Sequence, residues 1–94
     1  MKKYELMIIL KPLLPEDIRI GLQKKLDKLV EKGEGEVIAT DAWGKRHLAF
    51  PIKKHDEGYY IVYKLSMKQS YAQEFQRELK LTSDILRFLL TELE

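Results

Sequence analysis

The sequence has no cysteine, so neither a disulfide framework nor a thiolate metal site can form in it. It also has no long hydrophobic run. The opening MKKYELMIIL is interrupted by Glu5 and ended by Lys11 and Pro12, which leaves it too short to span a membrane. Because the lack of cysteine suits a reducing compartment, we predict a cytoplasmic protein.

An excess of one charge is nearly absent as well, since the formal net charge is only +2. A surplus this small does not by itself indicate nucleic acid, so the placement of the cations has to decide. Hydrophobic residues make up 45% of the chain and charged residues 34%, which is the composition of a globular protein. The length allows one domain, predicted over residues 1–94, that buries about 60 to 70% of its unfolded surface.

The hydrophobic pattern switches between the periods of strands and helices and predicts six elements. A strand over 4–10 is apolar on both sides, so it should lie centrally in its sheet. A helix should begin at Glu16, behind two prolines, and end at Gly33 and Gly35. The remaining elements are a strand over 36–40 that continues through 43–50, a strand over 59–67, a helix over 70–81 and a strand over 85–93.

This order is that of the α+β, ferredoxin-like split βαβ fold (βαββαβ), with a four-stranded antiparallel sheet and two helices on one face. Right-handed crossovers give the spatial order second, third, first, fourth strand. The second strand is then an edge, which agrees with Pro51, because proline cannot donate a ladder hydrogen bond. The face without helices would keep an apolar patch that suggests a partner, made of Met7, Ile9, Tyr60, Val62 and Leu89.

The second and third strands should form a hairpin. Its predicted turn is the charged stretch His55-Asp56-Glu57-Gly58, in which glycine can supply a positive φ. The second strand should be the longest and should bend or bulge around Gly44. Cations in this strand would lie beside unpaired backbone groups, which is typical of a binding surface more than of a catalytic one.

The inward-facing positions of the six elements predict the core. In the first helix, Ile18 and Leu22 begin an apolar face at helical spacing. The core should contain Leu6, Ile8, Leu26, Val30, Leu65, Met67, Phe75, Leu79, Phe88 and Leu90.

The chain offers little for catalysis. His47 and His55 are the only histidines. A metal site between them is conceivable, but no second ligand falls at helical or Cys-x-x-Cys spacing, so surface positions are the simpler interpretation. The serines lack the Gly-x-Ser-x-Gly setting of a nucleophile, and neighbouring acids such as Glu16 and Asp17 fit a helix start. We therefore predict no enzyme, no catalytic residue, no metal and no cofactor.

The segment 57–63, EGYYIVY, resembles the RNP1 segment of an RNA-recognition motif on the equivalent strand. Base-stacking aromatics there must point away from the helices. The alternation with Leu65 sends Tyr59 and Tyr63 into the core and leaves only Tyr60 outward. Core packing is therefore favoured over base stacking.

Basic residues form three clusters near predicted strand ends. Each cluster alone could simply keep the surface soluble or protect an edge strand. Together they favour a surface that binds phosphates without reading bases, and we expect the first and third to approach the same end of the sheet. The clusters are Lys2-Lys3, Lys45-Arg46-His47 and Lys53-Lys54-His55.

Four segments resemble a known family: the opening MKKYELMIILKP, the central WGKRHLAFPIKK, the turn and strand HDEGYYIVY, and the closing DILRFLLTEL. Over nearly its whole length the sequence resembles ribosomal protein S-six of the bacterial small subunit. The resemblance implies a ferredoxin-like fold and a structural role, in which the chain binds small-subunit ribosomal RNA together with ribosomal protein S-eighteen during assembly of the central (platform) domain. Family members often extend past the last strand, whereas this sequence ends at Glu94, so any contribution of a tail to the partner is either absent or was removed.

Two groups of site residues are predicted from the resemblance and from the clusters. The RNA-binding group, which should contact mostly phosphate and sugar, is Lys2, Lys3, Tyr4, Lys45, Arg46 and Arg87. The partner-binding group is Trp43, Arg46, His47, Phe50, Pro51 and Tyr60. The alternative function, a regulatory or ligand-binding ferredoxin-like module, would need a crevice with convergent polar groups, and none is recognisable in the loops.

Overall fold

Four antiparallel strands form one sheet in the computed structural model, which describes residues 1–93. They are β1 (Lys2–Leu10), β2 (Glu36–Ile52), β3 (His55–Met67) and β4 (Ile85–Leu93), in the order β2-β3-β1-β4. Helices α1 (Glu16–Lys32) and α2 (Ala72–Lys80) pack on one face, and a 3-10 turn, Gln69–Tyr71, leads into α2. The predicted ferredoxin-like fold is confirmed. Glu94, the end of the predicted domain, lies outside the described residues.

The core lies between the two helices and one face of the sheet. Because β1 is in the middle of the sheet, its Leu6 pairs with Tyr63 of β3 and with Leu90 of β4. Most of the predicted core is confirmed as buried, while Phe88 and Leu90 pack against it half-buried. The buried members are Leu6, Ile8, Leu26, Val30, Leu65, Met67, Phe75 and Leu79.

Helix α1 begins at Glu16, as predicted, and stops in a left-handed residue, Glu34, with φ of 58°. The N–H of Gly35 then donates to the carbonyl oxygen of Val30 at 3.0 Å, which satisfies a carbonyl at the helix end. Glycine is required at 35 because an added Cβ would overlap the backbone of β3. Ile18, expected inward, is 41% exposed, since α1 is buried only along its second half.

The hairpin turn lies at Lys53 and Lys54, so the turn predicted at 55–58 is wrong. Both lysines are left-handed, with φ of 49° and 69°, as a two-residue type I′ turn requires. Residues 55–58 belong to β3 instead. Glycine is needed at position 58 for space, because a Cβ there would meet a side chain of β1.

Strand β2 is the longest, with 17 residues, and lies at the sheet edge as predicted. The register shifts between Ala42 and Gly44, so the bulge expected there is confirmed. A larger irregularity follows at 48–51, which face only Asp56 of β3. Pro51 lies in this interruption, where no ladder hydrogen bond is lost.

The sheet face away from the helices, termed the helix-free face, is partly covered by the chain itself. Ile9 is only 4% exposed, and it packs with Leu48 over Gly58. The predicted apolar patch is therefore smaller than expected, because the irregular part of β2 folds against it. Of its other members, Met7, Tyr60 and Val62 are half-buried, and Leu89 is 58% exposed.

Candidate partner and nucleic-acid interface

The outer edge of β2 is unpaired in the described sheet. In the order β2-β3-β1-β4, this strand hydrogen-bonds only to β3, so a row of its N–H and C=O groups faces outward. Three large apolar side chains along it are exposed: Ile38 at 51%, Trp43 at 46% and Phe50 at 80%. Such an edge is a template on which another chain can add backbone hydrogen bonds and bury apolar side chains.

Trp43 and Tyr60 lie against each other on the helix-free face. Their ring centroids are 6.3 Å apart and the rings are within 10° of parallel. The β2 bulge makes this possible, because Trp43 is the extra residue between the pairs that β2 forms with Tyr60 and Ile61. The indole N–H donates to Oδ2 of Asp41 at 3.0 Å, which fixes the orientation of the ring. Two predicted partner-binding residues are thus brought together as one aromatic surface.

Phe50 and Pro51 line a second feature, a groove of about 360 Å³ between the irregular part of β2 and the sheet. We term it the hairpin groove. Its sheet side is formed by Met7, Ile9 and Tyr60. The Phe50 ring is mostly in solvent, so this end of β2 offers a large apolar side chain that the chain itself does not bury.

The cations of β2 are split between the two faces of the sheet. Lys45 pairs with Tyr59, whose ring lies under the guanidinium of Arg19 at 4.4 Å, so Lys45 is on the helix side. Arg46 pairs with Gly58 and is therefore on the helix-free face, where its Nη1 donates to a backbone oxygen of β2 at 3.1 Å. His47 alternates back to the helix side and is exposed. Arg46 is thus the cation of this cluster that shares a face with the aromatic pair.

Lys2 and Lys3 lie at the opposite end of the sheet from Lys53 and Lys54. Lys2 pairs with Met67, the last residue of β3, whereas the turn immediately precedes the first residue of that strand. The prediction that these two basic clusters share one end is wrong, because β1 and β3 run antiparallel. Lys2 and Lys3 are exposed and form a basic group of their own.

Tyr4, predicted to contact RNA, belongs to the core. It is 3% exposed and pairs with Leu65 on one side and Glu92 on the other, facing the helices. Burial raises the pKa of its phenol, and the carboxylate of Glu92 adds to the effect. The prediction is therefore corrected: with its ring enclosed, Tyr4 cannot offer a surface to RNA.

Arg87 is exposed on β4 and pairs with Ile9. Ile9 in turn pairs with Tyr60, so one row across the helix-free face runs from Arg87 towards the Trp43 ring. Arg87 also lines the hairpin groove. The predicted RNA-binding cations therefore occupy three places: the start of β1, the two faces of β2, and β4.

The comparisons with known proteins all indicate the same protein family. A model of the family described as Ribosomal protein S6 matches residues 3–92. The chain belongs to the ribosomal protein S6 family. The small ribosomal subunit protein bS6 of Dictyoglomus turgidum is 42% identical over 94 residues, which cover 100% of this chain and 97% of that protein. The bS6 protein of Thermoanaerobacter pseudethanolicus is 40% identical over 90 residues, covering 96% and 95%.

A crystal structure of 30S ribosomal protein S6 from Thermotoga maritima superposes with a TM-score of 0.89 at 29% identity, covering 98% of this chain and 87% of that one. The resemblance stated from the sequence is confirmed. Members of the S6 family are structural proteins of the small ribosomal subunit and are not enzymes, and the chain is one of them.

Within residues 1–93, no group of three or more histidine, aspartate or glutamate side chains is placed to hold a metal ion. No helix of the described residues is long and apolar enough to cross a membrane.

Two residues that shape the interface were missed from the sequence. Asp41 holds the indole of Trp43, and Leu48 helps Ile9 to cover Gly58. The contact of Asp41 with Trp43 could have been predicted, because the two residues are two apart in a strand and such residues share a face. No signal predicted the position of Leu48, since it depends on the irregularity in β2.

Proposed function

We propose that the chain is a structural component of the small ribosomal subunit that binds small-subunit ribosomal RNA together with ribosomal protein S-eighteen, during assembly of the central domain and in the cytoplasm. Membership of the S6 family supports the ribosomal part of this proposal. The pairing with ribosomal RNA and with a partner protein is supported by the surface of β2.

The observation that carries the proposal is that Trp43 of β2 stacks on Tyr60 of β3, on the same sheet face as Arg46, while the outer edge of β2 is unpaired in the described sheet. Tryptophan, tyrosine and arginine are the residues that dominate the energetics of protein interfaces. Phe50 adds an apolar anchor further along the same strand. The partner protein therefore docks along β2, with His47 and Pro51 at the rim of the contact.

RNA is contacted by the exposed cations Lys2, Lys3, Lys45, Arg46 and Arg87. They bind phosphate and sugar without reading bases, because they are scattered over the surface rather than arranged around a base pocket. Tyr4 has no part in this contact, since its ring is buried.

The small net charge of +2 makes the partner necessary for tight RNA binding. Non-specific attraction to phosphates grows with the number of cations placed on them, and this chain has only a small surplus of cations over acids. Protein and RNA binding are thus coupled. A positive coupling of about 1 to 3 kcal/mol is typical, and linkage makes it reciprocal, so RNA strengthens the protein pair by the same factor.

The decisive experiment titrates a transcript of the central domain of small-subunit ribosomal RNA with this chain alone, with S-eighteen alone and with the mixture. We expect the mixture to bind about 5- to 150-fold more tightly than independent binding of the two proteins would give. The reciprocal titration of the two proteins with and without RNA should return the same factor. Tight, saturable binding by this chain alone would contradict the coupling.

The alternative of a ligand-binding module is not favoured by the interior. The cleft between the helices and the sheet, lined by Ile8, Leu22 and Leu26 among others, has a volume of about 20 Å³. A space of this size holds about one water molecule and no metabolite.

A further inference from the structure

A groove beside β4 collects cations from three separate elements. It has a volume of about 350 Å³, and we term it the β4 groove. Lys53 comes from the hairpin turn, Lys80 from the last turn of α2 and Arg87 from β4. These residues are far apart in the sequence, so only the fold brings them to one place.

The charge of this groove is not balanced by its own lining. Among the described residues that line it there is no carboxylate. The closest acid along the chain from Arg87 on the N-terminal side, Asp84, pairs with Lys11 at 3.7 Å. The other two ion pairs within residues 1–93 also use cations outside the groove. The β4 groove is therefore a concentrated positive site on a chain whose net charge is small.

The conformation of the turn suggests that the lysine side chains have a role. Lys53 and Lys54 both have left-handed φ values, which type I′ turns normally fill with asparagine, aspartate or glycine. Asparagine and aspartate tolerate these φ values because their short polar side chains hydrogen-bond to the nearby backbone, whereas sterics disfavour most other residues that have a Cβ. Turn geometry thus does not explain two lysines at these positions, whereas a need for cations beside β4 explains Lys53.

The lining of the β4 groove also contains apolar side chains, among them Leu86 and Phe88, and the amide of Gln76. Cations and apolar side chains in one groove fit a phosphodiester chain, because the cations pair with phosphates while the ribose packs on the apolar side chains. A site of this kind fixes the position of RNA and carries no base sequence information.

We propose that the β4 groove binds the phosphodiester backbone of RNA through Lys53, Lys80 and Arg87, as a contact surface distinct from the Trp43–Tyr60 stack. This inference rests on the proposed binding of ribosomal RNA. Strands β4 and β2 are the two opposite edges of the sheet, so RNA on the β4 groove leaves the Trp43 part of the β2 edge open to the protein partner. Arg87 also lines the hairpin groove with Phe50, so the RNA site and the protein site adjoin each other at that end of β2.

The test compares the full chain with a Lys53→Gln, Lys80→Gln double variant, using the central-domain transcript and purified S-eighteen at several salt concentrations. Each phosphate contact contributes about one unit to the slope of log affinity against log salt, so the double variant should lose about two units. Binding to S-eighteen in the absence of RNA should not change. The matched control is Lys24→Gln, Lys28→Gln, which removes the same charge from exposed positions of α1 and should leave the slope as it is.

The possible results separate the two proposals. If the wild-type mixture binds RNA and the slope of the Lys53, Lys80 variant is unchanged, the proposal that the β4 groove binds RNA is overturned, whereas the proposed function is not. Equal loss in both double variants also overturns it, because net charge alone would then be responsible. Loss of S-eighteen binding without RNA would assign the groove to the protein partner instead. Absence of RNA binding by the wild-type mixture would overturn both proposals. Unfolding midpoints of the variants establish that each remains folded.

Discussion

The hydroxyl of Tyr63 donates a hydrogen bond of 2.8 Å to Oε1 of Gln23, and this bond joins the centre of β3 to α1. The amide nitrogen of Gln23 donates in turn to Oδ1 of Asp27 at 3.1 Å, one helical turn further along. The three side chains form a polar chain at the margin of the apolar core. They link the helix to the strand that carries Tyr60, and so to the surface that we propose for partner binding.

Removal of the Tyr63 hydroxyl should weaken this link. Tyr63→Phe keeps the ring, so the expected loss is that of one hydrogen bond, about 0.5 to 1.5 kcal/mol of unfolding free energy. Denaturant unfolding of the wild type, Tyr63→Phe, Gln23→Ala and the double variant measures it. Full additivity of the two single changes would contradict the coupling, because residues that share a hydrogen bond should not act independently.

The same phenol should make the fold sensitive to alkali. Burial raises the pKa of Tyr63 above its ordinary value, and the Asp27 carboxylate raises it further. An unfolded tyrosine ionises near pH 10, whereas the folded one keeps its proton to higher pH, so unfolding releases a proton once the pH exceeds about 10. This contribution to stability is complete below that pH and is lost as the pH rises.

Unfolding free energies of the wild type and Tyr63→Phe across this range provide the measurement. The decline above about pH 10 should be shallower in the variant, which has no phenol to ionise at this position. Parallel declines would show that Tyr63 does not contribute. Tyr4 and Tyr71, whose pKa values are also raised by burial, remain in both proteins, so the variant should keep part of the decline.

The parts of the fold that follow from periodicity were predictable from the sequence. Leu26 and Val30 lie one turn apart on a helix, and Leu65 and Met67 two apart on a strand, so their inward positions need no knowledge of the rest of the chain. The two-residue period of β1 also predicts that Tyr4 faces inward, because it lies two residues before Leu6. The prediction that Tyr4 contacts RNA did not take this period into account, and the ring is buried as the period predicts.

The turn and the site geometry were harder to predict. The turn was predicted at 55–58 because glycine commonly supplies a positive φ, but Gly58 instead provides space for Ile9 and Leu48. The actual turn uses two lysines, whose residue type gives no turn signal. Likewise, the meeting of Lys53 with Arg87 depends on how the hairpin folds back over the sheet, which no local pattern specifies.

Truncation in the core provides a test of the helix face. Leu26 is 4% exposed under α1, whereas Lys24 on the same helix is exposed. We expect Leu26→Ala to lower the unfolding free energy by about 2 to 5 kcal/mol, because it removes apolar contacts and leaves a cavity. Lys24→Ala should change it by less than about 0.5 kcal/mol. Equally mild effects in thermal or denaturant unfolding would mean that the face of α1 is misassigned.

Salt dependence tests the RNA contacts at the start of β1 and on β2. Lys3→Ala and Arg46→Ala should each reduce the slope of log affinity against log salt by about one unit, because each removes one cation from a phosphate. The measurement uses the central-domain transcript with S-eighteen present. Lys28→Ala on α1 is the matched control. An unchanged slope for both test variants would mean that RNA binds elsewhere on the surface and not at Lys3 or Arg46.

Partner binding along β2 is tested by placing charge on its apolar anchors. Trp43 and Phe50 are both exposed, at 46% and 80%, so glutamate at these positions should leave the fold intact. At an interface, however, each new carboxylate would have to be desolvated without a partner, and the Trp43–Tyr60 stack would be lost. We therefore expect the Trp43→Glu, Phe50→Glu variant to bind S-eighteen at least about 30-fold more weakly, since losing an interface hot spot costs about 2 kcal/mol or more.

The control is Leu13→Glu, which places a carboxylate on an apolar side chain that is 83% exposed outside β2. Calorimetry with purified S-eighteen compares the three proteins, and full binding by the β2 variant in a still-folded domain would exclude this edge as the docking site.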